Sequence, residues 1–98
     1  MRLKSYEADL AKRLRDPEYA AEYLTGVLAE QDREAFLIAL KDVVEASGGI
    51  GELAERVRIK RPSLYKILSS NGNPTLETLQ QILSSLGLRV SVSLDEAA

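Results

Sequence analysis

The stretch Gly51–Ser69, GELAERVRIKRPSLYKILS, decides how the chain is read. Leu53, Ala54 and Val57 fall at helical spacing, and Leu64, Ile67 and Leu68 do so again after a break at Arg58–Lys60. Two short helices joined by a tight break, inside a helical chain, read as helix-turn-helix. Ala54 is small where the two helices must approach, and Val57 and Ile59 plug the turn. With Leu64, Ile67 and Leu68 turned inward, the helical step of about 100° puts Pro62, Lys66 and Ser69 on the opposite side. Ser63 and Tyr65 flank them, Arg61 projects from the N-terminal end, and Lys60 holds the cap position.

The same stretch concentrates charge. From Arg56 to Lys66 it holds five cations (Arg56, Arg58, Lys60, Arg61, Lys66) and no acid, in a chain of net charge −2. Residues 1–47 carry seven cations and ten acids, whereas residues 48–98 carry six and five. A solvated helix face is the plain reading of such a cluster. The geometry supports a second one. In a helix-turn-helix the N-terminal part of the second helix enters the major groove, and here it offers an arginine able to grip guanine, two hydroxyl side chains and a lysine. Counterion release depends on the few cations near phosphates, so local concentration outweighs the total. On this reading the arginine is Arg61, the hydroxyl side chains are Ser63 and Tyr65, and the lysine is Lys66.

Upstream, the pattern is also helical. A first helix is expected over about Lys4–Leu14. In RDPEYAAEYLTGVLAEQ, Asp16 is the expected N-cap and Pro17 the first helical residue, with Tyr19, Tyr23, Val27 and Leu28 at helical spacing. Asp32 caps a third helix whose Phe36, Leu37, Leu40, Val43 and Val44 form one apolar stripe, ended by Gly48 and Gly49. Downstream, SNGNP marks a loop and Thr75 caps a last helix with Leu76, Leu79, Ile82, Leu83 and Leu86 on one face. Gly87 falls where a left-handed residue ends a helix. Then LRVSVSL alternates Leu88, Val90, Val92 and Leu94 with polar residues, the period of a half-buried strand. A single strand lacks a neighbour, which predicts a homodimer with this segment at or near the interface; a tail packed on its own chain is the alternative.

Composition narrows the function. The chain has 98 residues, no cysteine and no histidine. Disulfides, thiolate chemistry and the usual general base are absent, and no metal-ligand spacing, phosphate loop or dinucleotide fingerprint is present. Acids such as Asp42 and Glu45 lie on a charged helix surface beside Lys41, with no polar cluster around them. The expectation is a non-enzymatic protein without cofactor or metal. No apolar run approaches a membrane span and the start, MRLKSYEADLAKRL, is charged throughout, so a soluble cytoplasmic protein is expected.

The segment GELAERVRIKRPSLYKILSSNGNPTLETLQQILSSLGLRVSV, Gly51–Val92, resembles the Cro/CI (Xre) type of helix-turn-helix domain. With AAEYLTGVLAEQD and REAFLIALKDVVEASGGIGELA upstream, it resembles more narrowly the probable addiction-module antidote proteins, antitoxins similar to HigA. The resemblance covers about Ala20–Leu94. It implies a mainly α Cro/CI-type fold of five to six helices with one C-terminal strand: a helix-turn-helix DNA-binding domain at residues 48–98 that carries the strand, and a helical extension at residues 1–47 packed on the same core. It also implies an antitoxin that neutralises a RelE/HigB-like ribonuclease toxin and represses its own operon by binding operator DNA as a dimer. Carried onto this chain, the resemblance implies DNA-binding residues Arg61, Pro62, Ser63, Tyr65 and Lys66, with Lys60 at the cap position of the recognition helix. Two positions depart from the family pattern. Lys60 stands where the cap is commonly Ser or Thr, and Arg58 where the turn often carries glycine; a left-handed arginine costs roughly 1–2 kcal/mol. The exposed acids Glu18, Glu22, Glu30, Asp32 and Glu34 offer a complement to a basic toxin, or plain helix solvation. A stand-alone helix-turn-helix regulator and a protein-interaction module without DNA binding are the competing readings.

Overall fold

The computed structural model describes residues 2–96, with side chains from residue 5 onward. Six helices are present: α1 Arg2–Leu14, α2 Pro17–Leu28, α3 Arg33–Ala46, α4 Gly49–Val57, α5 Arg61–Ile67 and α6 Leu76–Ser85. Their starts follow local chemistry. Asp16 accepts the Glu18 N–H at 3.1 Å, Asp32 the Ala35 N–H at 3.1 Å and Thr75 the Thr78 N–H at 3.1 Å. Each satisfies a donor that the helix itself leaves unpaired. At the end of α6, Gly87 takes φ 79°, its N–H donates to Ser84 and the Leu88 N–H donates to Leu83. That pair of bonds is a Schellman closure.

The core is built on α3. Phe36, Leu37, Ala39, Leu40, Val43 and Val44 are all buried along it. Leu14, Ala20 and Leu24 join them from α1 and α2, and Ile50, Leu53, Leu64, Leu68, Ile82 and Leu83 from the C-terminal half, in one continuous cluster. Two apolar positions do not go where the helical spacing placed them. Leu28 and Leu76 are 57% and 61% exposed. They sit in the last turn of α2 and the first of α6, where Val27 and Leu79 are the side chains packed on the core. The buried line of α2 runs through Ala20 and Leu24 instead. Among the described residues no helix is long and apolar enough to cross a membrane.

The expected C-terminal strand is absent: the described residues contain no strand, and residues 88–95 run without regular structure. The two-residue period is real, but a strand exists only with a neighbour to take its N–H and C=O groups. Every other regular element here is a helix. Among the described residues, 89–94 make no backbone–backbone hydrogen bond. Only Leu88 packs on the core, while Val92 and Leu94 are 95% and 87% exposed.

One polar contact joins the N-terminal helices. The Tyr23 hydroxyl of α2 donates to Asp42 of α3 at 3.5 Å. Burial pushes the Asp42 carboxyl above the usual carboxylate range; Glu45 and Glu7 add to this, and the Tyr23 hydrogen bond and Lys41 partly offset it. Burial, then the Asp42 charge, likewise raise the Tyr23 phenol, which matters only at alkaline pH. A carboxyl raised on folding binds its proton more tightly in the native state. Its ionisation therefore opposes folding at neutral pH, and the cost is relieved as pH falls through the folded value. Asp42→Asn removes the charge and keeps an acceptor for Tyr23. Thermal unfolding should show this variant more stable than the parent at pH 7, with the gain shrinking at acidic pH as the raised Asp42 carboxyl of the parent takes up its proton. A gain of equal size at neutral and acidic pH would refute the account.

Candidate nucleic-acid interface

Helices α4 and α5 meet through residues 58–60. Arg58 adopts φ 57°, ψ 39°, and its N–H donates to the Ala54 carbonyl at 2.9 Å, closing α4. The left-handed turn is thus present and an arginine holds it, at the roughly 1–2 kcal/mol a side chain costs there. Ile59 packs partly into the core between the two helices, as does Val57. Lys60 is extended, with φ −64° and ψ 145°, and caps α5 through its carbonyl, which accepts the Leu64 N–H at 3.1 Å; its side chain makes no cap bond. Pro62 in the first turn fixes the backbone without losing a needed donor.

This leaves α5 with one buried residue, Leu64, and an outer face of Arg61, Pro62, Ser63, Tyr65 and Lys66, all exposed. Lys60 is exposed beside them. All six residues expected at the nucleic-acid surface are therefore exposed. The five cations do not behave alike. Arg56 donates to the Ser85 carbonyl at 3.2 Å and pairs with Glu52, so it ties α4 to the C-terminal end of α6. Among the described residues, Arg58, Lys60, Arg61 and Lys66 have no carboxylate within ion-pair distance. Four positive charges are thus left uncompensated around one short helix.

Two neighbours of this surface escape a pattern-based reading. Gly51 in the first turn of α4 lies under Arg61: a Cβ there would stand 2.8 Å from an Arg61 guanidinium nitrogen. Glycine at 51 lets the guanidinium lie against α4, so Arg61 is folded back rather than fully projecting. Lys41 of α3 places its ammonium 5.9 Å from the centre of the Tyr65 ring. The signal for Gly51 was a glycine inside a helical pattern, which calls for a reason of space. No local pattern links Lys41 to Tyr65, because the contact joins two helices distant in sequence. The acids Glu18, Glu22, Glu30, Asp32 and Glu34 are all exposed, and Asp32 is also engaged in capping α3.

Comparison with known proteins adds a family. Residues 4–94 match the pattern of the family described as probable addiction module antidote protein. A relative from Haemophilus influenzae, described as an uncharacterized protein, is 36% identical over 84 residues, which cover 86% of this chain and 86% of that one. No solved structure matches the chain.

Proposed function

The chain belongs to the probable addiction module antidote family, and from that premise we propose that it neutralises a RelE/HigB-like toxin and represses its own operon through a Cro/CI (Xre) helix-turn-helix of the HigA-like kind. The observation that carries the DNA half is the α5 surface. Arg58, Lys60, Arg61 and Lys66 have no carboxylate partner among the described residues, and Pro62, Ser63 and Tyr65 are exposed beside them, while Leu64 is buried and Ile67 packs partly on the core. Such a face supplies both phosphate contacts and base-edge contacts. The net charge of −2 leaves little non-specific attraction, so the local cations set the affinity. For the toxin half, the exposed acids of α2 and α3 favour a basic partner. The protein acts in the cytoplasm, where its promoter lies.

We also propose that it works as a homodimer through the C-terminal segment. Val92 and Leu94 stand almost fully in water, beside an open groove of about 660 Å³ lined by Leu24, Leu28, Phe36, Leu76 and Leu79. Apolar side chains gathered in this way ask for cover, and a second copy brings the same segment and the same groove. Dimerisation sets two α5 helices at half-sites about one helical turn apart. Gel filtration of a chain truncated after Gly87 should show a monomer; an unchanged dimer refutes the assignment.

The deciding experiment is co-purification with the tagged product of the adjacent gene, followed by a gel shift on the shared promoter. Capture of a small basic protein together with a salt-dependent shift is the expected result. A shift without a partner leaves a stand-alone regulator; a partner without a shift leaves a protein-interaction module. Within the DNA half, Arg61→Ala should cost about 1–3 kcal/mol, roughly 5- to 150-fold in affinity. Unchanged affinity would remove Arg61 from the reading surface.

A further inference from the structure

Lys41 stands outside the cationic stretch, on the exposed side of α3. Glu45 stands one turn further along the same helix, in the weaker lysine-before-glutamate order for an i,i+4 pair. No such pair forms: among the described residues Lys41 has no carboxylate within ion-pair distance. Asp42, next in sequence, is engaged with Tyr23 on the α2 side. The Lys41 ammonium lies instead over the ring of Tyr65, which is 53% exposed on the outer face of α5.

That placement has a chemical consequence. An exposed cation–π contact is worth only about 0.5–1 kcal/mol. It orients the ammonium without consuming it, because a lysine has three N–H donors and the ring face engages the charge rather than a particular acceptor. A compact, strongly hydrated cation beside a groove-reading helix suits a phosphate better than a base edge. We propose that Lys41 is a phosphate contact of the nucleic-acid interface, held in place by Tyr65, so that the interface extends from α4–α5 onto α3. This rests on the DNA-binding reading above.

The test is a salt titration of binding to a labelled duplex carrying the DNA upstream of this chain's own gene. Wild type, Lys41→Gln, Lys41→Arg and Arg61→Ala are compared between about 50 and 200 mM salt. Lys41→Gln should reduce the slope of log K against log salt by about 0.9 per protomer and weaken binding to matched and mismatched duplexes alike. Lys41→Arg should restore the slope. If Arg61→Ala loses affinity while Lys41→Gln keeps the parent's slope and affinity, the proposal fails and the DNA-binding reading stands. If the wild type shows no salt-dependent binding, both fall.

Discussion

Gly72→Ala should lower the unfolding free energy by about 3 kcal/mol, at the upper end of what overpacking costs. Gly72 is buried in the loop between α5 and α6, and its φ is not positive, so the reason is space rather than backbone freedom. A Cβ at this position would overlap the carbonyl oxygen of Ile67, and would stand 2.7 Å from that carbonyl carbon and 3.0 Å from the Ser69 oxygen. All three atoms are backbone, so no side chain can swing away. The Gly72 N–H also donates to Ser69 at 2.8 Å, which pins the loop against the end of α5. Relief requires the loop to move away from the end of α5, where Leu68 is buried in the core. For a domain of this size the expected fall in Tm is about 12–24 °C. Chemical denaturation measures it with an unchanged slope; a loss below about 1 kcal/mol would show that the loop yields freely.

This glycine also marks where sequence reading stops. SNGNP announces a loop plainly, since Gly, Asn and Pro each favour one. Nothing in those letters says that Gly72 touches the carbonyl of Ile67. The contrast recurs through the chain. Asp16, Asp32, Thr75 and Gly87 were legible because a cap or a left-handed closure is settled within four or five residues. The inner face of α4 and α5 was legible for the same reason, through the spacing of Leu53, Leu64 and Leu68. What was not legible depends on distant partners. Arg56 reads as one more cation in a basic stretch, yet it binds the carbonyl of Ser85 twenty-nine residues away. Leu28 and Leu76 fit their helical stripes but are exposed, while Val27 and Leu79 beside them pack on the core. The period of Leu88–Leu94 is that of a strand, yet period alone provides no ladder. In each case the local signal is present, and the tertiary neighbour decides its outcome.

Leu64→Ala should cost about 3–4 kcal/mol and remove the α5 surface with it. Leu64 is 0% exposed and is the one buried residue within a helix of seven residues. A helix of that length has no stability of its own in water. It persists because Pro62 favours its first turn, Lys60 and Leu64 close a backbone bond, and the Leu64 side chain sits in the core with Leu53 and Leu68 behind it. Truncation to alanine leaves a cavity at the point where α5 is held. Total stability for a chain of this length is about 5–15 kcal/mol, so the loss is a large share of it, and Tm should fall by about 12–32 °C. Leu64→Met keeps the volume and should cost less than about 1.5 kcal/mol. The pair of variants separates fold from recognition. Neither changes a charge or an exposed group of α5, so on the DNA-binding reading the methionine variant should bind promoter DNA as the parent does. The alanine variant should lose binding in parallel with its folded fraction. If alanine at 64 left stability within about 1 kcal/mol of the parent, the helix would be held by something other than this side chain.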